Sequence, residues 1–233
     1  MTTTSENFQP LGNSSLREQI EQRVRDAILD GDLLTGEHIV ESILAEQLGV
    51  SRAPVREALS ALERDGLITL IPRRGYFVAE FTPSDIEEVY DLRSILELGA
   101  LHLVIKNIST ADIAEFQAVI DAFGQAVQAG QMRSEIINLD LSFHGLVCRK
   151  ANNSRLFSAW RSMRLQTGML IGLTSQTKYD YPEQPVELHQ CILDAIIDMD
   201  HEQAASLLRE HISDAKQRAL ASLNVVDGIA VLP

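Results

Sequence analysis

Apolar residues recur at intervals of three and four along most of this chain, and breaks in that rhythm divide it into two unequal halves. The first stripe is Leu16, Ile20, Val24 and Ile28, one face of a helix that Ser14 or Ser15 can cap and that Gly31 ends after Asp30. A shorter helix follows from Glu41 to Leu48. Gly49-Val50 then makes a turn tight enough to hold the next helix at a steep angle. Ser51 is expected to cap that third helix, with Pro54 in its first turn, where a missing N–H costs little. Val55, Ala58, Leu59 and Leu62 form its buried stripe, while Ala53, Arg56 and Ser60 face outward and Arg52 sits at the edge of that face. Beyond it, Leu67–Leu70 and Tyr76–Ala79 read as strands joined across Ile71 to Gly75, with Arg73 and Arg74 at the tip.

From Thr82 onward the strand pattern is gone. Thr82-Pro83-Ser84-Asp85 starts a helix to about Asn107, and Ser109 or Thr110 caps another to about Ala129. Further helices are expected near Met132–Lys150, Ser154–Thr177, Val186–Met199 and His201–Leu223. Six helices with short connections make an antiparallel bundle the economical architecture. The longest break is Lys178 to Pro185, and the tail after Leu223 reads as loosely held. The expected fold is therefore mainly α: a winged helix-turn-helix over residues 14–80 and a six-helix antiparallel bundle over residues 81–224.

Composition changes this picture in two places. Cys148 and Cys191 are far apart and in no CxxC spacing, which points to a reducing compartment and away from a disulfide framework or a cysteine-ligated zinc. The polar N-terminus and the lack of any apolar run near ~20 residues point to the cytoplasm and away from a membrane. The net charge of −13 opposes binding to DNA, and residues 14–80 are themselves acidic, with eight arginines against twelve aspartates and glutamates. The cations are nevertheless clustered: Arg52 and Arg56 at the start of one helix, Arg73 and Arg74 at the ribbon tip. A recognition helix reads bases from its N-terminal end, where an arginine can donate two bonds to guanine for ~1–3 kcal/mol of discrimination. The competing readings are arginines solvated on a small helical domain, or a winged helix used for protein contacts.

Four polar residues of the bundle fall on apolar faces. Asp140 shares a face with Ile136, Ile137 and Val147, and His144 follows one turn along. His189 lies in the stripe of Val186, Leu193 and Ile196, and His211 lies with Ala204, Leu208 and Ala215. Each of these two histidines is eleven residues from Asp200, where the last two helices turn back, so they stand at similar height. A buried aspartate needs a partner, and one divalent cation would satisfy all four groups. One carboxylate oxygen and three imidazole nitrogens suit zinc, with nickel, cobalt or manganese as alternatives. The competing reading is of unrelated core histidines bonded to backbone or water. His38, His102 and His201 read as surface or packing residues.

LAEQLGVSRAPVREALSALERDGLI followed by RRGYFVA resembles the winged helix-turn-helix of GntR-family bacterial transcription regulators, over about Leu16 to Glu80. The resemblance implies base or phosphate contacts at Arg52 and Arg56, small residues Ala53 and Pro54 against the groove, and Gly75 with Arg74 in the minor groove. Ser51 and Arg73 belong to the same expected surface. Ser42 stands where several relatives carry an arginine or glutamate, so operator preference does not carry across.

DLSFHGLVCRKANNSRLF and ELHQCILDAIIDMDHEQAASLLREHI are similar to the FCD effector domain of one GntR branch, and six helices favour its VanR-like over its FadR-like subgroup. In metal-binding members the ligands fall on Asp140, His144, His189 and His211. The effectors are commonly small carboxylates that fill open metal positions. The D-L-R-x-x-L-E context implies an effector contact at Arg93, though as bare sequence it is equally an exposed pair with Glu97, worth a few tenths of a kcal/mol. Asn153 and Arg164 are further expected pocket residues. The function implied is a homodimeric regulator, a repressor, on double-stranded operator DNA with inverted-repeat half-sites, switched by a small organic acid at the metal. The rival readings are a metal-dependent hydrolase, which lacks a recognisable general base and nucleophile motif, and a regulator whose metal is purely structural.

Overall fold

The computed structural model describes residues 15–174 and 185–229. Its first part runs α1 (Leu16–Asp30), β1 (His38–Ile39), α2 (Glu41–Leu48), α3 (Arg52–Arg64), β2 (Ile68–Ile71) and β3 (Gly75–Val78). Ser15 caps α1 reciprocally with Glu18, and Gly31 ends it in the left-handed region. The expected stripe begins at Ile20 rather than Leu16, which is 48% exposed, and Leu29 joins it. The first turn of α1 is not core because it lies beside the outward face of α3, where Arg17 stands near Ala53, Arg56 and Ser60. Val55, Ala58, Leu59 and Leu62 are fully buried, as the helical spacing requires.

Gly49, at φ 67°, closes the turn between α2 and α3, with its own N–H and that of Val50 returning to the end of α2. Ser51 occupies the cap position of α3, but its side chain makes no capping bond, contrary to expectation. The ribbon contains a third strand not legible in the sequence. β1 pairs antiparallel with β3, placing His38 opposite Phe77 and Ile39 opposite Tyr76, with β2 on the other side of β3. Two residues are too short to show a period of two.

The second part consists of α4 (Pro83–Ile105), α5 (Thr110–Ala129), α6 (Arg133–Lys150), α7 (Ser154–Thr174), α8 (Pro185–Ile197) and α9 (His201–Ile229). Thr82 with Asp85 and Ser109 with Asp112 form reciprocal caps at the starts of α4 and α5. The break expected at 178–185 lies outside the described residues apart from Pro185, which opens α8. The expected loose tail is corrected in part, because α9 continues past Leu223 to Ile229. α4 is the central element and packs against α6, α7 and α9.

The two parts share packing. α1 lies on α6 and α7, and Ile137, Leu141 and Met169 of the bundle complete the core around Leu29. Gly172 of α7 lies beside the Leu29 backbone, where α7 meets the end of α1. The Asp30 carboxylate accepts the Ser134 backbone N–H at 2.7 Å and its hydroxyl at 3.0 Å. α6 has no side-chain cap of its own, so a residue of the first domain caps a helix of the second. Asp30→Ala is expected to lower stability by ~0.5–2 kcal/mol, the usual worth of an N-cap. Urea unfolding monitored by circular dichroism measures this, and an unchanged midpoint would remove the cap from the account.

Candidate metal centre and nucleic-acid surface

α6, α8 and α9 bring together the four polar residues singled out on their apolar faces. One ligand-capable atom from each of Asp140, His144, His189 and His211 lies within 4.8 Å of the others. The Nε2 atom of His144 is 3.1 Å from that of His211 and 3.4 Å from that of His189. Asp140 reaches His189 Nε2 at 3.3 Å and His144 Nε2 at 4.0 Å. Two imidazole nitrogens bound to one tetrahedral zinc at ~2.0–2.1 Å would stand roughly 3.3 Å apart, so the donor spacing fits a first-row divalent cation. His144 and His189 are wholly buried, Asp140 is 5% exposed and His211 8%. Phe143 and Phe123 pack nearly perpendicular to the His189 ring.

The electrostatics favour ligand-competent protonation. Burial pushes the His144 and His211 imidazoles below their ordinary value, helped by Arg93 at His144 and by the neighbouring imidazoles at His211. Burial opposes ionisation of Asp140, but the His189 hydrogen bond and the adjacent rings outweigh it and hold its carboxyl below the usual range. Neutral imidazoles and an ionised carboxylate are the forms that coordinate a metal.

Arg93 and Glu97 of α4 stand beside this cluster. The pair expected on an exposed face is buried, at 1% and 0% exposure, with Arg93 Nε donating to Glu97 Oε1 at 2.9 Å. Arg93 and Glu97 share the buried face of α4 with Ile86, Tyr90, Ala100, Leu101 and Val104, and α4 packs against α6, α7 and α9. Burial raises the Glu97 carboxyl, but Arg93 and His144 bring it down to about 2. Among the described residues, Arg93 Nη2 and the Tyr90 hydroxyl one turn earlier are buried with no hydrogen-bond partner, which leaves two donors available to an anion. The other two expected pocket residues do different work. Asn153 is exposed and caps α7 by accepting the Leu156 N–H at 3.1 Å. Arg164 donates to Asn138 at 3.1 Å on the flank of α6 and α7. Neither has a described hydrogen bond to the cluster.

The outward face of α3 presents Arg52, Ala53 and Arg56 to solvent, with Pro54 half-buried in the first turn. Arg56 Nε and Nη2 donate to the Glu41 carboxylate at 2.9–3.3 Å, tying α3 to the start of α2 beside half-buried Ser42. This partner was not read from the sequence, since fifteen residues separate the two. At the ribbon tip Arg73 adopts φ 66° and Gly75 φ 102°, and the Arg74 guanidinium lies 5.2 Å from the Phe77 ring centre. His38 stacks on Phe77 and approaches Gly75 so closely that a Cβ there would meet its Nε2 at 2.8 Å. His38 is thus part of the wing, a placement that depends on β1. No described helix is long and apolar enough to cross a membrane.

The FCD domain model matches residues 88–214, and the model for bacterial regulatory proteins of the gntR family matches residues 16–78. The HTH-type transcriptional regulator McbR of Escherichia coli is 33% identical over 138 residues. That match takes in 59% of this chain and 62% of McbR's own length. The gluconate operon transcriptional repressor of Bacillus subtilis is 23% identical over 212 residues, spanning 89% of this chain and 86% of that protein. A solved structure of Escherichia coli McbR/YncC superposes with a TM-score of 0.72 at 27% identity, covering 91% of this chain and 98% of that one. The crystal structure of a GntR transcriptional regulator from Rhodococcus sp. RHA1 gives 0.75 at 25% identity, covering 89% and 99%. McbR and the gluconate operon protein are named as a transcriptional regulator and a transcriptional repressor, which favours a regulator over the hydrolase reading. With winged head and helical bundle each matched in turn, the chain belongs to the gntR family of bacterial regulatory proteins, in the branch that carries an FCD domain.

Proposed function

We propose that this protein is a cytoplasmic, homodimeric repressor that binds inverted-repeat operator DNA and is released or retained by a small organic acid sensed at a metal centre in its bundle. The observation that carries the reading is the convergence of three imidazoles and Asp140 in the core of a chain whose other end presents Arg52 and Arg56 on the outward face of α3. Asp140, His144, His189 and His211 would hold the ion, zinc by preference and nickel, cobalt or manganese as alternatives. When bound, the ion supplies a Lewis-acidic position that attracts an anionic oxygen. Arg93 Nη2 and the Tyr90 hydroxyl, buried and with no partner among the described residues, offer hydrogen bonds to the rest of a carboxylate. The exposed cap role of Asn153 and the Asn138 bond of Arg164 leave Arg93 as the favoured effector contact. Six described helices in the bundle favour the VanR-like subgroup.

On the DNA side, Arg52 and Arg56 would read the major groove beside Ala53 and Pro54, with Ser42 and Ser51 near the backbone. Arg73, Arg74 and Gly75 would enter the minor groove. Glu41 holds two nitrogens of Arg56, so that side chain is aimed before it meets a base. An effector switches such a protein only by binding its DNA-competent and DNA-incompetent states unequally.

Three outcomes test the reading. With an operator selected from random duplexes, Arg52→Ala is expected to weaken binding about tenfold and to relax preference at one base pair, as fluorescence anisotropy measures. Unaltered affinity and preference would exclude Arg52 from base reading. Elemental analysis of purified protein is expected to return one divalent ion per chain and none for His189→Ala, and titration of organic acids is expected to shift operator affinity only in the metal-bound form.

The third outcome concerns pH. His144 and His211 bind protons more weakly folded than unfolded, so their contribution is complete above the unfolded value of 6.5 and is lost as pH falls below it. The urea midpoint of metal-free protein is therefore expected to fall between pH 7 and pH 5; a midpoint that rises contradicts the buried neutral rings.

A further inference from the structure

The geometry points to Glu97 as the positioning residue that selects which ring nitrogen of His144 faces the metal. The inference rests on the metal reading above and adds to it a residue that is not itself a ligand. Glu97 is fully buried on α4, and its two oxygens have different duties. Oε1 accepts from Arg93 Nε and from the indole Nε1 of Trp160, each at 2.9 Å. Oε2 lies 2.7 Å from His144 Nδ1.

Guanidinium and indole nitrogens can only donate, and an ionised carboxylate can only accept. His144 Nδ1 must therefore carry the ring proton. The lone pair is left on Nε2, the nitrogen that stands 3.1 Å and 3.4 Å from the other two imidazoles and 4.0 Å from Asp140. Outer hydrogen bonds of this kind orient a ligating histidine and set its tautomer, and their loss typically costs ~10–100-fold in metal affinity.

The surroundings of Glu97 fix the assignment of its two oxygens. Gly145, next to His144, makes room for Trp160: a Cβ there would meet the indole ring at 2.8 Å. The indole can then lie across α6 and reach Oε1. Arg93 supplies the balancing charge from one turn away on the same helix.

The Glu97→Gln substitution turns this into a sharp test. Arg93 and Trp160 both demand an acceptor, so the amide oxygen of the new side chain takes the Oε1 position and its NH₂ faces His144 Nδ1. That nitrogen must then accept, the proton moves to Nε2, and the metal-facing lone pair is lost.

Long-range ¹H–¹⁵N spectra of the metal-free full-length protein report the tautomer, with His144 assigned by difference from His144→Ala. The expected result is Nδ1–H in the wild type and Nε2–H in Glu97→Gln. Cobalt(II) titration against a chelator is expected to show at least a 10–100-fold weaker site in Glu97→Gln, with an altered d–d spectrum. A wild-type His144 protonated on Nε2 overturns the inference without recourse to any variant. So does a Glu97→Gln protein that loses thermal stability yet keeps the wild-type tautomer and cobalt affinity, since Glu97 would then serve packing alone. Wild-type protein that takes up no cobalt refutes the metal reading instead, and the tautomer spectra then decide the orienting role separately.

Discussion

Two carboxylates, a guanidinium and three imidazoles are enclosed in an apolar helical bundle, and the arrangement of α4, α6, α7, α8 and α9 answers to that enclosure. Taking one partner from a buried ion pair typically costs ~3–5 kcal/mol, because the charge left behind has no water to turn to. Glu97 avoids this by serving three donors on three different helices, Arg93 of α4, His144 of α6 and Trp160 of α7. Asp140 leans on His189 of α8, and His211 of α9 closes the group. Buried hydrogen bonds thus link α4 to α6 and α7, and α6 to α8 and α9, so sliding any of these pairs breaks one.

The same helix carries the polar centre toward the DNA-binding head. α6 bears Asp140 and His144, its N-terminus is capped by Asp30 of α1, and Ile137 and Leu141 on it pack into the core of the winged domain. α7 packs against α1 from the other side. In the proposed switch, a ligand that displaces α6 by a fraction of an ångström would be felt at α1 and, through their shared core, at α3. The coupling such regulators need is modest, ~1–3 kcal/mol between sites. The Asp30 cap alone, at ~0.5–2 kcal/mol, is of that order.

Local chemistry made much of this legible beforehand. The stripe Val55, Ala58, Leu59 and Leu62, the Gly49 turn, the reciprocal caps at Thr82 and Ser109 and the six bundle helices all follow from residues within a few positions of one another. Asp140, His144, His189 and His211 were legible for a related reason. Each breaks an apolar face at a position where helical spacing requires burial, and Asp200 marks the turn that sets two of them level. Where the reading failed, the deciding neighbour was remote or the local chemistry was spent elsewhere. Leu16 is exposed because its turn overlooks α3, and Asn153 is used as a helix cap.

Periodicity tells which side of a helix is buried; it cannot tell which buried side of another helix it will meet. Spacing along the chain was enough to nominate a winged head, a helical bundle and four polar residues facing a core. That Glu97 meets His144 across 47 positions and Trp160 across 63, that Asp30 caps a helix 104 residues away, and that Arg93 is buried rather than solvated were settled by packing. A hydrogen bond is a fact of distance in space, and the chain records only distance along itself.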